Sequence, residues 1–477
     1  MTRPDSLSAL SEEFSRAELG HKQRTRRVMK IADMAARASE LSLPRQAGGN
    51  ASVLEGTYRL LGNEFVEPEA ILEAHQGCTV ERASGLAEVV VAHDTTSFEF
   101  KGEDAREGLG PLCGSGQGMF AHYSLALSRT GQPLGVLALR VWRRGEKTKP
   151  RLHPRDRRRD EDRESLRWHE AVHEVAERLE GIAQAIHVMD REGDSYELLA
   201  DLREHQQRFV VRVAHDRLLG NGDLSGEPRL YSAMAGTEVV LEREVQLSRR
   251  TEPRGTAAKR THPARKGRQA SLVVRAGAFR IKRGRDLLLH LPDEMELNFV
   301  EVVERNPPDG QQPVLWRLVT SEPISTPAEV AAVIDLYRMR WTIEEYFKSL
   351  KTGCNFEKLQ LESGRALVMA LAIYSAVAWR LLLVRWMERE QPDGPGESLV
   401  TPIQLVLLAN HMTTIRRPWS GPPTCQQVLL AIAALGGHLR NNGPPGWLVL
   451  SRGFHDLLLM EVGWNAAQNA LAERSDQ

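Results

Sequence analysis

The order of short apolar runs between residues 87 and 213 limits the fold of this chain more than any other feature. A stretch with helical spacing at 165–179 separates two groups of runs that are too short for globular helices. These runs predict strands at 87–93, 119–127, 134–142, 182–189 and 208–213. Three antiparallel strands followed by alternating helices and strands predict an α/β mixed sheet with an RNase H-like core.

The rest of the chain flanks or interrupts this core. A chain of 477 residues is too long for one ordinary hydrophobic core. Short segments around 216–312 do not suit helices and predict a β-rich insertion, whereas Pro327–Phe347 predicts one long helix. The predicted division is an N-terminal helical module 1–70, a first core part 71–215, the insertion 216–312, a second core part 313–365 and a C-terminal helical region 366–477.

Composition indicates a soluble globular protein, because 41% of residues are hydrophobic and 26% are charged. The longest apolar stretch, 366–379, is shorter than the about 20 residues of a membrane span, so we expect a buried helix. No secretory signal is visible at the N-terminus. The cysteines lack Cys-x-x-Cys spacing, which argues against a zinc site or a disulfide framework and fits a reducing cytoplasm; they are Cys78, Cys113, Cys354 and Cys425.

Basic residues cluster although the net charge is zero. Lys and Arg concentrate in the runs 22–27, 143–167 and 249–268, and local basic clusters attract phosphate backbones. Each run alone is better explained as solvated surface, and acids neutralise much of the middle run. The N-terminal module is compatible with either a helix–turn–helix reader or a simple helical cap.

Three acids suggest a metal site. Asp94 and Asp190 follow directly on the predicted strands 87–93 and 182–189, and carboxylates at neighbouring strand ends can point into one crevice. Glu344, in the predicted long helix, would close the third corner. Such acids repel unless a cation intervenes, and oxygen ligands suit Mg²⁺, with Mn²⁺ as a substitute. Taken alone, each aspartate is equally explained as a cap, and Glu344 as a surface residue.

A polar stripe surrounds Glu344 in the sequence. Its members recur at steps of 3, 4, 4 and 3 and therefore share one face of the predicted helix; they are Tyr337, Arg340, Glu344, Lys348 and Lys351. Such a stripe does not resemble a core face. An ion-pair ladder explains it in isolation, whereas a functional site would use the acid for metal and the cations for phosphate.

Tyr337, Arg340, Glu344 and Lys351 match the Y-(2)-R-(3)-E-(6)-K signature of bacterial DDE transposases. The chain resembles the insertion-sequence-four family of these enzymes, with further matching blocks in order at 93–97, 190–192, 208–212, 316, 320–323, 433–437 and 447. The resemblance implies a DNA transposase that binds transposon ends, cleaves them by metal-dependent hydrolysis through a hairpin intermediate, and joins the 3′-OH ends to target DNA.

The resemblance also implies roles for residues. Asp94, Asp190 and Glu344 would be catalytic ligands of two Mg²⁺ ions. The phosphate contacts would be Tyr337, Arg340 and Lys351, joined by Lys348 from the stripe. Trp316 would stack on a flipped base with Arg212 as its support. In the N-terminal module, which matches more loosely, the candidate contacts are Arg24, Arg26 and Arg27.

The implied partners are double-stranded DNA, as transposon ends and target, and a second copy of the chain in the DNA complex, held by the C-terminal helices. No membrane is implied, and the expected location is the bacterial cytoplasm at the nucleoid. The basic run 249–268 matches nothing residue by residue. Two rivals stay open: an inactive DNA-binding protein, which need not keep all three acids, and a metal-dependent nuclease of the same fold that cannot join strands.

Overall fold

The computed structural model describes residues 7–102, 105–112, 116–145, 163–220, 228–247, 264, 266–287, 290–439, 441 and 443–475. Cys113 lies outside these residues, as do most of the basic runs 143–167 and 249–268. The α-helices are α1 Lys22–Arg37, α2 Leu43–Gln46, α3 Ala51–Leu61, α4 Pro68–Ala83, α5 Leu166–Leu179, α6 Tyr196–Glu204, α7 Leu230–Ala235, α8 Pro327–Met339, α9 Trp341–Lys348, α10 Gly364–Glu390, α11 Pro402–Thr414, α12 Cys425–Leu435 and α13 Trp447–Ser475.

Within the described residues, ten strands form one sheet. They are β1 Glu88–Phe100, β2 Gly110–Pro111, β3 Gln117–Leu127, β4 Pro133–Trp142, β5 Gln184–Met189, β6 Arg208–Arg212, β7 Val239–Leu247, β8 Arg268–Lys282, β9 Glu294–Arg305 and β10 Leu315–Thr320. β3 pairs antiparallel with β1 and β4, whereas β1, β5 and β6 run parallel. This order, with helices at both ends of the chain, confirms the predicted mixed α/β architecture and is consistent with an RNase H-like core.

The insertion extends the sheet instead of forming a separate layer. β10 pairs with β6 on one side and β9 on the other, and β8 and β7 continue the sheet beyond β9. β9 was missing from the sequence prediction because its glutamates are typical of an exposed segment. In the structure two of them are buried, since Glu301 pairs with Arg317 at 2.6 Å and Glu304 pairs with Arg268 at 2.9 Å. The prediction that no helix fits this segment was wrong, since Leu230 and Met234 bury one face of α7.

The N-terminal module is fastened to the core through Glu13, at the end of a 3₁₀ helix Leu7–Phe14. Its carboxylate contacts Nδ1 of His75 at 2.7 Å and Nη1 of Arg82 at 2.5 Å, both on α4. Burial opposes ionisation, but His75 and Arg82 outweigh it and lower the pKa of Glu13 to about 2. The first helical segment and the sheet are therefore joined by a buried charged cluster.

The predicted helix Pro327–Phe347 is interrupted at Arg340, which separates α8 from α9. The N–H of Arg340 bonds the carbonyl of Tyr337 at 3.1 Å, a 3₁₀ bond that tightens the turn. A π-helical turn Ser349–Gly353 and 3₁₀ turns Phe356–Lys358 and Gly396–Ser398 follow along the chain.

α10 contains the apolar stretch noted in the sequence and is long and apolar enough to cross a membrane, but 89% of its most apolar window is buried inside this protein. It packs against α1, α3, α4 and β4, so one hydrophobic cluster joins both ends of the chain to the sheet. The expected buried helix is therefore present. α13 lies within the predicted C-terminal helical region 366–477, although no individual helix was predicted at its position.

Candidate active site

The two aspartates are brought together by parallel strand pairing. His93 of β1 lies opposite Met189 of β5, and the next residues along these strands are Asp94 and Asp190. Asp190 ends its strand as expected and caps the turn Arg191–Gly193, accepting the N–H of Glu192 at 2.8 Å. Asp94 does not end its strand.

β1 continues through Asp94 to Phe100 because this half of the strand pairs with β3. The sequence prediction of a strand ending at residue 93 was therefore too short. The carboxylate of Asp94 consequently projects from the middle of a covered strand, where the residue is only 8% exposed.

Glu344 is linked to Asp94 through Arg340. Nη1 of Arg340 lies 3.0 Å from Oδ2 of Asp94, and Nη2 lies 3.4 Å from Oε1 of Glu344. The turn between α8 and α9 places this guanidinium between the two acids. Because Glu344 stays 36% exposed on its side chain, the group is open to solvent on one side.

The electrostatics show that the three acids interact. Burial, together with the charges of Asp190 and Glu344, raises the pKa of Asp94 to about 7, although Arg340 and the N–H of Thr95 act in the opposite direction. A single arginine does not compensate three carboxylates, so ionisation of all three calls for an additional cation. The donor set consists of oxygen only, which fits Mg²⁺ or Mn²⁺ better than softer metals.

The predicted polar stripe is not one exposed face. Tyr337 is buried, with its ring edge-to-face against Trp316 at 5.4 Å. Lys351 donates to the carbonyl of Ser97 at 2.7 Å, which ties it to β1 near the acids. Lys348 is half-exposed and pairs with Glu345 at 2.8 Å. The expectation that the stripe as a whole avoids the core was wrong for Tyr337 and Arg340, which are both buried.

Trp316 and Arg212 occupy neighbouring strands beside this site. Trp316 is half-buried on β10. It contacts Tyr337, which lies three residues before Arg340 in the chain. Nη2 of Arg212 donates to the carbonyl of Leu315 at 3.2 Å and so steadies the backbone that carries the indole. Their roles toward DNA remain predictions.

The three N-terminal arginines differ in their freedom. Nη1 of Arg24 donates to the carbonyl of Leu19 at 3.0 Å. The guanidinium of Arg27 lies so close to Gly56 that a Cβ there would come within 2.4 Å of it. Arg26 is exposed on α1. Arg24 and Arg27 thus also hold the helical module together, whereas Arg26 is the most available for a contact.

Asp194 was not anticipated as part of the site. Its Oδ2 accepts the N–H groups of Ala214 and His215 at 2.6 and 3.1 Å, and its Oδ1 lies 2.7 Å from Nη1 of Arg217. This buried carboxylate anchors the turn that begins at Asp190. Only its position in the block after Asp190 could have drawn attention to it.

Buried histidines lie beneath Asp94. Nε2 of His93 is 2.8 Å from Nδ1 of His187, and Nδ1 of His122 is 3.0 Å from Oγ1 of Thr95. Burial holds the pKa of His93 well below its usual range and lowers that of His122 to about 3, so both rings are neutral. Histidines inside apolar strand runs were the available sequence signal.

Two family models match parts of this chain. The model for a transposase DDE domain matches residues 167–380, which include Asp190 and Glu344, and the model for a transposase DNA-binding domain matches residues 6–66. Among solved structures, the chain is similar to a cryo-EM structure of the piggyBac transposase synaptic complex with hairpin DNA. That similarity has 10% sequence identity and a TM-score of 0.34 and covers 81% of this chain and 74% of the other.

Proposed function

We propose that this chain moves DNA by a cut-and-paste pathway. It carries a transposase DDE domain and a transposase DNA-binding domain. It is therefore a DDE transposase, an enzyme that cleaves and joins DNA. The proposed metal ligands are Asp94, Asp190 and Glu344, which would hold two Mg²⁺ ions. The observation that carries this proposal is the guanidinium of Arg340, which touches two of these acids while the third follows on the adjacent parallel strand.

The proposed reaction is a series of phosphoryl transfers. Water cleaves one strand at the transposon end and frees a 3′-OH, which attacks the opposite strand and closes a hairpin. Water then reopens the hairpin, and the 3′-OH attacks target DNA. Mg²⁺ in this site would activate the attacking oxygen and stabilise the leaving one. In each step one P–O bond forms and another breaks, so no side chain acts as a covalent nucleophile.

The protein's own contribution is positioning and charge. Arg340 keeps Asp94 and Glu344 beside each other and offers a fixed cation at the edge of the site. Lys351, tied to β1 through Ser97, adds a second cation, and Lys348 a third, more exposed one. We infer that these groups contact the phosphates next to the cleaved bond, with Tyr337 fixing the helix that bears Arg340.

Trp316 is proposed to receive a flipped base during hairpin formation. Its half-buried indole is held by Tyr337 from one side, and Arg212 fixes the preceding backbone. Stacking of a base on an aromatic ring is worth about 1–3 kcal/mol, which offsets much of the few kcal/mol that flipping costs.

The proposed partners are transposon-end DNA, target DNA and a second copy of the chain. Arg26, with Arg24 and Arg27 beside it, would contact the transposon ends. Apolar side chains exposed along α13, including Leu459 and Val462, support pairing of two copies through the C-terminal helices. Such an enzyme would act in the bacterial cytoplasm at the nucleoid. We propose that it belongs to the insertion-sequence-four family, and that it resembles the transposase of the composite transposon Tn-five.

The test uses DNA that carries both flanks of the reading frame, which supplies the transposon ends. Asp94→Ala should abolish nicking in Mg²⁺ while leaving end binding intact, because the acid serves chemistry and not recognition. Asp393→Ala, an exposed aspartate of the C-terminal region, is the matched control and should cleave normally. Nicking by Asp94→Ala would refute the assignment. Joining of a 3′-OH end to plasmid by the unaltered enzyme separates a transposase from a simple nuclease.

A further inference from the structure

A second cluster of possible metal ligands lies where α5 meets α6. His169 and His173 are one turn apart on α5, and Asp201 and His205 are one turn apart at the end of α6. Residues four apart on a helix face the same side, so each helix presents a pair of ligand groups. None of these residues belongs to the predicted cleavage site.

Asp201 is the centre of this cluster. Its Oδ1 lies 2.9 Å from Nδ1 of His205, and its Oδ2 lies 3.2 Å from Nε2 of His173. Nδ1 of His169 approaches the same Oδ2 at 2.6 Å. The ligand atoms of His173, Asp201 and His205 all lie within 4.8 Å of one another.

We propose that His173, Asp201 and His205 bind a divalent transition metal ion of the Zn²⁺ type, and that His169 orients the carboxylate of Asp201. Zn–N and Zn–O bonds of about 2.0–2.2 Å give a tetrahedral edge of about 3.3 Å, close to the 3.2 and 2.9 Å that separate His173 and His205 from their nearer oxygens of Asp201. Two imidazoles exclude Mg²⁺ as the preferred ion. The site is distinct from the three carboxylates in both ligand chemistry and position in the chain.

The solvent exposure of the two histidines and the hydrogen bond from His169 to Asp201 fit this assignment. The side chains of His173 and His205 are 42% and 50% exposed, so an ion can enter and a water can complete the coordination. Carboxylates that bind metal ions are usually hydrogen-bonded by a further group, and His169 supplies such a hydrogen bond to Asp201. His205 also bonds the carbonyl of Asp201 at 3.0 Å, an interaction that a metal at Nδ1 would replace.

Metal binding at this site would link α5 to α6. α6 starts shortly after the turn that Asp190 caps, and α5 packs on β3, β4 and β5. A metal ion at their junction would hold the helix after Asp190 to the helix that packs on these three strands. The cysteine pattern had argued against zinc, and the His-x-x-x-His spacing of α5 was the signal that this reasoning passed over.

The experiment measures Zn²⁺ affinity with a chromogenic competing chelator. The protein carries no polyhistidine tag, is stripped of metal, and is held in excess Mg²⁺ so that the carboxylate site is occupied. One equivalent of Zn²⁺ should bind the unaltered protein and Asp190→Asn alike. His173→Ala and His205→Ala should each weaken binding at least about 100-fold, with circular dichroism confirming that they fold, whereas His215→Ala, on an exposed loop, should bind normally.

Three results would overturn the site. These are the absence of a Zn²⁺ equivalent in the unaltered protein, its survival in the His173→Ala/His205→Ala double variant, and its loss in Asp190→Asn. Co²⁺ gives a readout that needs no variant, since a tetrahedral nitrogen and oxygen site produces intense visible absorption. A spectrum of octahedral Co²⁺ alone would also contradict the proposal.

Discussion

Replacing Asp194 by alanine should destabilise the protein far more than replacing an exposed aspartate. Its side chain is fully buried, accepts two backbone N–H groups from Ala214 and His215, and faces Arg217, whose side chain is 9% exposed. Asp194→Ala would leave all of these groups inside the protein without their acceptor. The carbonyl of Asp194 would still accept one N–H of Arg217, at 2.9 Å.

The size of the effect follows from these contacts. Removing one partner of a buried ion pair costs about 3–5 kcal/mol, and each N–H left without an acceptor costs about 1–3 kcal/mol. Nη1 of Arg217 and Oδ1 of Asp194 are close but poorly aligned for a hydrogen bond, which weakens that part of the pair. Because the losses overlap, we expect a total of about 3–5 kcal/mol.

The assay is urea unfolding followed by tryptophan fluorescence, with hydrogen exchange at the amides of Ala214 and His215 as a local readout. Asp293→Ala is the control, because Asp293 also faces an arginine but its side chain is 86% exposed, so its loss should cost less than about 1 kcal/mol. Equal midpoints for the two variants, or unchanged protection of both amides, would refute the account of Asp194 as an anchor.

Two further predictions concern the N-terminal junction and the aromatic pair. The pKa of Glu13 is lowered from 4.5 to about 2. The ionised carboxylate therefore stabilises the folded protein by about 3 kcal/mol above pH about 4.5, and this stabilisation is lost as the pH falls toward 2. Glu13→Gln should lack this loss in acid unfolding, and identical acid transitions for the two proteins would contradict the pairing with His75 and Arg82. Trp316→Ala should reduce hairpin formation more than the first nick in gel assays of end cleavage, and equal loss at both steps would count against base stacking.

The sequence predicts the central sheet well because its strands are buried on both faces and consist of continuous apolar runs. It fails where burial depends on a distant partner. Glu301 and Glu304 look like surface acids until Arg317 and Arg268 neutralise them. The interruption at Arg340 is similarly invisible, since no proline or glycine marks it. There the structure instead shows a tightened turn beside the contact with Asp94.

For the candidate site, strand ends and motif spacing predict the three acids but not what surrounds them. Parallel pairing of β1 and β5 explains why two aspartates far apart in the chain become neighbours. The anchoring of the turn by Asp194 and the neutral histidines under Asp94 are tertiary contacts between segments with no shared sequence pattern. Tyr337 shows the opposite case, because its motif position says nothing about its burial against Trp316.

The shared sheet of core and insertion restricts how the enzyme can move. β10 is hydrogen-bonded to β6 on one edge and to β9 on the other, so β7–β9 are not a flap on a hinge. DNA bound along β7–β9 would therefore stay at a fixed distance from the candidate active site. Deletion of β7–β9 would leave one edge of β10 without its hydrogen-bond partner, and unpaired strand edges promote aggregation.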